Sequence, residues 1–402
     1  MWLKYEERGV RMNPTILEAM KSCNVNREAI LKTWKEIVEI ESFTHNREGV
    51  NAVCDFVRQE LEKLGMSTKV YEYDKAGPLL IGECGTGNPD ECILLTGHMD
   101  TVFKDGFIQD NPFRVEDGKV FGPGVLDMKG GVNLIFYIIK LLKALDYKKP
   151  IKVIISGDEE HGHEHSNQGQ LMTDESKGCK LAFNMETGIV GNSITVARKG
   201  RIACRVATRG KSAHAGANFS DGINAIQEMA HKILSIQALN EKYEEVTFSV
   251  GTIKGGTVAN AVPDYAEIEI DVRYNDVDMK EDIVEDLRQI AETCKVEGTT
   301  GEVFIDGGFP PFSNKINQKA YEFVNGISVK NGFGETEPIH IGGSSDAAFI
   351  TIAGVPCLCS MGVKGEWNHT NREYALVDSA IERIVLITDA ILESENVKSF
   401  LD

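Results

Sequence analysis

Acidic and imidazole side chains recur in this chain where apolar, strand-like runs end. The first pair follows the run 94–96, where His98 and Asp100 are separated by one residue. Alternate residues of an extended backbone point to the same side, so His98 could hold a metal ion while Asp100 orients its ring. A buried histidine paired with a neighbouring aspartate is the alternative for this pair alone. Further groups of this kind follow at Asp127, Glu159, Glu160, Glu186 and His369.

The downstream carboxylates each have an ordinary alternative. Asp127 lies in the glycine-bracketed segment GPGVLDMKGG, where it could bridge two cations or simply cap a helix. The run Gly157–Glu160 ends a buried strand, and successive carboxylates there repel unless cations offset their charge. One glutamate could then bind metal while its neighbour takes a proton from water, whereas a solvated acidic turn is the alternative.

Glu186 closes another strand and His369 lies in a loop before the last helix, and either alone could be a surface residue. The repeated placement of such groups at strand ends nevertheless predicts a site for two metal ions. His161, His163 and His165 form a dense tract directly after Glu160. Short histidine tracts can bind metal by themselves, but a solvated loop is the favoured interpretation and their role stays open.

Short apolar strands alternate with amphipathic helices between about residue 65 and residue 190. This alternation predicts an α/β fold with a doubly wound, mostly parallel sheet covered on both faces. Ligands gather at the carboxyl ends of the strands in such sheets, which is where the acidic groups fall.

The pattern changes near Arg198. The predicted strand 266–274 alternates apolar and charged residues, which is typical of a sheet with one exposed face. We therefore predict an inserted α+β domain over residues 199–311. A discontinuous catalytic domain would comprise residues 1–198 and 312–402, because His369 must rejoin His98.

Composition excludes some classes of function. Among 402 residues, 61 acidic side chains against 43 basic ones give a net charge of -18, which repels nucleic acid and anionic membranes. Residues 1–13 lack the apolar core of a secretory signal, and nine cysteines without framework spacing indicate free thiols. We expect a cytoplasmic protein whose native start is either Met1 or Met12.

Nine segments together resemble one enzyme family. HMDTV, GPGVLDMKGG, GDEE, NMETG, GKSAHAG, ANAVPD, DVRY, GGSSDAA and NHT occur in the order found in a family of dizinc metallopeptidases. That family contains glutamate carboxypeptidase, succinyl-diaminopimelate desuccinylase, acetylornithine deacetylase, aminoacylase and peptidase T. The chain looks most similar to the glutamate carboxypeptidase branch.

The resemblance implies a role for each predicted ligand. One Zn²⁺ would be held by His98 and Glu186, the other by Glu160 and His369, and Asp127 would bridge the two ions. Co²⁺ or Mn²⁺ would be possible substitutes. Glu159 would be the general base, and the peptide bond from Asp127 to Met128 would be cis.

The resemblance also implies roles for the inserted domain. His214 would stabilise the oxyanion in the active site of a partner subunit, in a homodimer formed through residues 199–311; a core or capping histidine is the alternative. Asn260 and Arg273 would contact the substrate, although Arg273 could equally pair with Asp271. The backbone of Gly343 and Ser344 would bind an anion, with simple capping by Ser345 as the alternative.

We therefore expect a zinc-dependent hydrolase that cleaves an amide bond next to a free carboxylate, in a small peptide or an N-acyl amino acid. An aminopeptidase or dipeptidase of the same family is one rival. A non-catalytic binding protein is another, but it predicts damage to the ligand set, and no position is replaced. The segment Asp306–Pro310 lacks the second basic residue of glutamate-releasing relatives, so the sequence does not predict the preferred side chain.

Overall fold

The computed structural model describes residues 12–401, which form two compact units. Unit 1 contains the described residues up to Ala197 together with Ser313–Ile341 and the residues from Ser345 onwards. Unit 2 contains Arg198–Phe312 and Gly342–Ser344. The alternative start at Met1 lies outside the described residues.

The first three helices of unit 1 each begin at an asparagine whose side chain caps them. The Asn46 side chain, for example, accepts a hydrogen bond from Gly49 N at 3.1 Å, which satisfies a donor that the first helical turn leaves unpaired. The helices are Pro14–Ser22, Arg27–Val38, Arg47–Lys63, Phe107–Asp110, Lys129–Ala144, Gln168–Ser176, Gln318–Lys330, Ala347–Ile352 and Val377–Glu393.

The main sheet of unit 1 combines parallel and antiparallel strands. Its six strands lie in the order Ser67–Tyr71, Leu79–Cys84, Ile151–Ser156, Ile93–His98, Leu181–Asn184 and Cys357–Leu358. The last four pair in parallel, whereas the first two join antiparallel, a direction that the lengths of the apolar runs did not predict. The chain therefore has a mixed α/β fold.

A second, smaller sheet of unit 1 brings distant segments together. Its strands are short, and they lie in the order Arg114–Glu116, Lys119–Phe121, Tyr374–Leu376, Lys364–Glu366 and Gly188–Ile189. A two-stranded sheet pairs Glu337–Ile341 with Ser193–Arg198. Because Tyr374–Leu376 pairs with Lys119–Phe121, the segment around residue 369 is fixed beside the loop that carries Asp127.

Unit 2 has its own hydrophobic core. Four antiparallel strands lie in the order Thr247–Gly255, Tyr265–Tyr274, Gly200–Arg209 and Thr300–Phe309. The helices Ala225–Lys242 and Lys280–Glu292 cover one face of this sheet, and Ala213–His214 pairs with Ala261–Val262. The alternation predicted for 266–274 is confirmed, because buried and partly exposed residues alternate along the whole of Tyr265–Tyr274.

Candidate metal centre

Three neighbouring parallel strands deliver side chains to one edge of the main sheet. His98 is the last residue of its strand, Glu159 and Glu160 follow the strand Ile151–Ser156, and Glu186 follows Leu181–Asn184. Because the strands run in the same direction, their carboxyl ends meet at the same edge.

The ring of His98 lies among three carboxylates. Its Nε2 atom is 3.2 Å from Asp127 Oδ1, 3.5 Å from Glu186 Oε1 and 3.9 Å from Glu159 Oε2. Its Nδ1 atom is 3.0 Å from the backbone oxygen of Asp100, which can only accept a hydrogen bond. The proton of a neutral ring therefore sits on Nδ1, and Nε2 keeps a lone pair facing the carboxylates.

His369 completes the cluster from the far end of unit 1. Its Nε2 atom is 3.0 Å from Asp127 Oδ2 and 3.2 Å from Glu160 Oε2. The two oxygens of Asp127 thus face different imidazoles, with His98 on one side and His369 on the other. His369 has φ of 63°, a left-handed conformation that is costly for a residue with a side chain and is often found at functional sites.

The Asp127 loop is fixed by two residues that the sequence analysis missed. Glu373 is fully buried, and its Oε1 atom accepts hydrogen bonds from Leu126 N at 2.9 Å and Asp127 N at 3.3 Å. Asn368 Nδ2 donates to Asp127 Oδ2 at 3.0 Å. The peptide bond between Asp127 and Met128 is cis, as the resemblance implied. Burial and the charge of Asp127 raise the pKa of Glu373 to about 8.

Asp100 holds the strand-end loops as well as the His98 ring. Its carboxylate lies 3.4 Å from His98 Nδ1, so its backbone oxygen is the nearer partner of that ring. The carboxylate accepts hydrogen bonds from Glu159 N at 3.3 Å, Glu160 N at 3.1 Å and Thr44 Oγ1 at 2.8 Å. Asp100 therefore fixes the backbone on which both glutamates are carried.

The charges of the cluster are poorly balanced by protein groups alone. Burial, together with the charge of Glu186, raises the pKa of Glu159 well above its ordinary value. Burial and the charge of Asp127 raise the pKa of Glu160 to about 7. Hydrogen bonds to Asp127 and Glu160 raise the pKa of His369 to about 11. Without metal, imidazolium rings must therefore offset part of the buried negative charge.

The donor set fits divalent metal ions. The donor atoms of His98, Glu159 and Glu186 lie within 4.8 Å of one another, and so do those of His98, Asp127 and Glu160. The Oε1 atom of Glu160 is buried without a hydrogen-bond partner in residues 12–401, as expected of an oxygen that binds a cation. Imidazole nitrogen and carboxylate oxygen are the donors that Zn²⁺ takes in catalytic sites.

The histidine tract divides into different environments. His163 is buried, and its Nε2 atom lies 2.6 Å from Asp346 Oδ1. Asp346 also accepts a hydrogen bond from Ser156 Oγ at 2.5 Å. His163 therefore packs inside the loops at the strand ends, whereas His165 is exposed to solvent.

The remaining predicted site residues belong to unit 2. His214 is exposed, and its Nδ1 atom accepts hydrogen bonds from Gly216 N at 3.1 Å and Ala217 N at 3.0 Å. A neutral ring held in this way carries its proton on Nε2, which becomes a donor. Ala215 N donates to the backbone oxygen of Asn260 at 2.9 Å, so His214 and Asn260 lie on adjacent backbone segments.

Arg273 uses most of its guanidinium within unit 2. Its Nε and Nη2 atoms bond the carboxylate of Asp271 at 2.6 and 3.2 Å, and its Nη1 atom is 3.4 Å from Ser344 Oγ. The backbone oxygen of Gly343 accepts a hydrogen bond from Arg198 Nη1 at 3.2 Å. In unit 1, Ser345 Oγ accepts a hydrogen bond from Ala347 N at 3.3 Å, but the N-cap residue of the helix Ala347–Ile352 is Asp346.

Among residues 12–401, no helix is both long enough and apolar enough to cross a lipid bilayer.

Comparison with known proteins places the chain in one enzyme family. Residues 94–393 match the model of peptidase family M20/M25/M40. The chain belongs to this family. It is therefore an enzyme, a metal-dependent peptidase or amidohydrolase with exopeptidase-like activity.

Relatives of this M20-family enzyme match almost its whole length. It is 29% identical to carboxypeptidase G2 of Pseudomonas sp. strain RS-16, over 91% of this chain and 89% of the relative. It is 30% identical to the uncharacterized protein YqjE of Bacillus subtilis strain 168, over 92% of this chain and 99% of the relative. The crystal structure of aminopeptidase PepT from Bacillus cereus ATCC 10987 is 25% identical and covers 92% of this chain and 98% of its own, with a TM-score of 0.71.

Proposed function

We propose that this M20-family enzyme is a dizinc hydrolase that cleaves an amide bond next to a free carboxylate, in a small peptide or an N-acyl amino acid. The observation that carries the proposal is the position of Asp127, whose two oxygens lie 3.2 Å from His98 Nε2 and 3.0 Å from His369 Nε2. A carboxylate shared in this way is suited to bridge two ions.

His98 and Glu186 would hold one Zn²⁺, Glu160 and His369 the other, and Asp127 both; Co²⁺ or Mn²⁺ would be possible substitutes. When bound, the two ions supply positive charge that lowers the pKa of water and polarises the scissile carbonyl. Asp100 keeps the backbone of Glu159 and Glu160 in place through its hydrogen bonds to their amides.

Glu159 would act as the general base. It takes a proton from the attacking water and passes it to the leaving amine, so it must be ionised before the reaction and basic enough to keep the proton until the amine leaves. The buried position that raises its pKa supports this role, since a carboxyl with an ordinary pKa would be a weaker proton acceptor. Its Oε2 atom lies 3.9 Å from His98 Nε2, within the same cluster as the ligands.

Unit 2 would be the lid and the dimerisation domain. We propose that Arg273, aligned by Asp271, binds the substrate carboxylate with Asn260 and the backbone of Gly343 and Ser344. His214 would donate a hydrogen bond from its Nε2 atom to the oxyanion in the active site of the partner subunit. We also propose that the main sheet is doubly wound, because every residue of its central strand Ile93–His98 is buried and both faces of the sheet are therefore covered there.

The edge strand of unit 2 supports a homodimer formed through residues 199–311. Thr247–Gly255 lies at one end of the four-stranded sheet, and the Ile253 side chain is 56% exposed. An exposed edge strand readily pairs with another chain. Sedimentation velocity should therefore give a dimer for the wild type and a monomer for Ile253→Lys, while a dimer in both would contradict this interface.

Substrates blocked at one end test the proposed function. The purified zinc form should hydrolyse N-acetyl dipeptides and N-acyl amino acids that keep a free carboxylate, and it should leave their C-terminal amides intact. Chelation should abolish the activity and added Zn²⁺ should restore it. Hydrolysis of the amides at the rate of the free acids would contradict recognition of the carboxylate.

An aminopeptidase is the second candidate, favoured by the 25% identity to aminopeptidase PepT over 92% of the chain. It requires a free amine on the substrate. Rapid cleavage of free di- or tripeptides with no cleavage of N-acetylated ones would favour this candidate over the carboxypeptidase or deacylase.

A further inference from the structure

Three imidazole rings gather beside the candidate metal centre without belonging to it. The rings of His45 and His161 have centroids 4.1 Å apart, and those of His45 and His165 are 6.4 Å apart. His45 and His165 are exposed, and His161 is half-buried. His45 comes from the loop before the helix Arg47–Lys63, whereas the other two come from the tract after Glu160.

The two loops are held together by a single carboxylate oxygen. Asp100 Oδ2 accepts hydrogen bonds from Thr44 Oγ1 at 2.8 Å and from Glu160 N at 3.1 Å. His45 and His161 are the next residues after these two donors. Their approach therefore follows from a buried anchor and not from the surface side chains alone.

The imidazole nitrogens of this group are available. Among the hydrogen bonds of residues 12–401, none uses a ring nitrogen of His45, His161 or His165, whereas His163 in the same tract bonds Asp346. Phe43 packs edge-on against the His45 ring, with centroids 5.1 Å apart, which limits where that ring can lie. Neutral imidazole is a good ligand for zinc, copper and nickel.

We propose that His45, His161 and His165 form a further metal site, separate from the dinuclear centre, for a late first-row divalent ion such as Zn²⁺, Ni²⁺ or Cu²⁺. Two imidazoles on one tetrahedral ion, with bonds of about 2 Å, place their ring centroids roughly 5 Å apart. The centroid separations of 4.1 Å for His45 and His161 and 6.4 Å for His45 and His165 lie on either side of that value. The three rings do not place their nitrogens within 4.8 Å of one another in the structure, so binding requires the exposed His45 and His165 side chains to rotate.

An ion at this site would cross-link the loop around His45 to the tract after Glu160. Both loops carry donors to Asp100, so the ion would tie together the backbone that supports the proposed general base. Because the ion binds only the folded chain, it should raise the temperature of unfolding as its concentration rises.

Calorimetric titration with NiCl₂ tests the site. The wild type and the double variant His45→Ala/His165→Ala are each loaded to two Zn²⁺ per chain, as counted by elemental analysis, and the wild type should then bind one more Ni²⁺ per chain than the variant. The matched control His231→Ala/His340→Ala removes two histidines elsewhere and should bind as the wild type does. His165→Ala alone should weaken Ni²⁺ binding by at least about tenfold, since one of three ligands is lost.

Equal Ni²⁺ uptake by the wild type and the His45→Ala/His165→Ala variant would overturn the proposal. Unfolding of each protein, followed with and without Ni²⁺, gives a second measurement, because only proteins with the site should gain stability. Both experiments compare Ni²⁺ binding or stability between variants, and neither requires catalytic activity. A chain that binds the extra ion but hydrolyses none of the tested amides would contradict the proposed function alone.

Discussion

At the scale of single residues, the candidate centre contains proposed metal ligands and further side chains that hold those ligands in position. Asp127 lies between two imidazoles, while Glu373 accepts a hydrogen bond from its backbone amide and Asn368 donates one to its Oδ2 atom. Orientation of the shared carboxylate therefore depends on side chains about 240 positions away in the sequence.

Glu159→Gln should reduce kcat/KM by about 100- to 10,000-fold, because the amide cannot accept a proton from water. The zinc content should stay that of the wild type, since Glu159 is not a proposed ligand. Steady-state kinetics and elemental analysis of the same preparations check both points. Glu164→Gln, an exposed glutamate of the same loop, is the control. Wild-type turnover by the Glu159 variant would refute the assigned base.

Glu373→Leu should weaken both stability and zinc binding. It removes the acceptor of Leu126 N and Asp127 N, and each buried donor left unpaired costs about 1–3 kcal/mol. Zinc affinity should fall about 10- to 100-fold, as for other residues that orient ligands. Urea unfolding and competition with a chelator measure the two effects. Glu373→Gln keeps the accepting oxygen and should retain most of the stability and most of the zinc affinity. Equal losses in the two variants would argue against Glu373 as the acceptor that positions the Asp127 loop.

At the scale of elements, the helix Lys129–Ala144 approaches the strand end that precedes Glu186. A Cβ atom at Gly131 would lie 1.9 Å from the backbone oxygen of Met185, which is far inside contact distance. Glycine at this position therefore lets the helix that follows Asp127 pack directly against the segment that carries Glu186.

Gly131→Ala should destabilise unit 1 by about 1–3 kcal/mol, because helix and strand end must move apart. Zinc affinity should fall with it, since Asp127 and Glu186 shift relative to each other. Gly326→Ala is the matched control: this exposed helical glycine would place its Cβ within 4 Å of nothing, and alanine there should stabilise by about 1 kcal/mol. Urea unfolding compares them, and equal effects of the two changes would contradict the close approach.

The sequence predicted those parts of the site that depend on the local pattern. His98 and Glu186 were predicted as ligands because apolar runs end beside them, and the parallel direction of their strands brings these ends to the same edge of the sheet. Glu373 could not be found in this way, because it acts on backbone amides of a segment far away in the sequence. The antiparallel direction of the strands Ser67–Tyr71 and Leu79–Cys84 was also not predicted, because the length of an apolar run does not determine the direction of its strand.

At the scale of the whole molecule, residues 12–401 contain two separate hydrophobic cores. The core of unit 2 includes Ile268, Ile270 and Leu287, which come from a strand and a helix of the same unit. The ends of the segment meet, because Arg198 and Phe312 exchange backbone hydrogen bonds at 3.0 and 3.1 Å. A segment with its own core and adjoining ends has the features of an independent folding unit.

Residues 198–312 produced alone should therefore fold. Far-UV circular dichroism should show mixed helix and strand with a cooperative thermal transition, and amide proton signals should be dispersed. Ile270→Asp in the same fragment places a charge in the core and should abolish the transition. A fragment that melts without cooperativity, like its Ile270→Asp version, would contradict the prediction.

The shared aspartate also has a consequence for synthesis on the ribosome. Chains emerge from their amino terminus, yet Asp127 relies on His369 and Glu373, which are made some 240 residues later. A nascent chain therefore carries its acidic strand ends without His369 for about half of its translation time. In the proposed centre, the ion held by His369 can therefore be bound only late in synthesis, and a chain stopped before residue 369 would lack that ligand even with its amino-terminal half correctly folded.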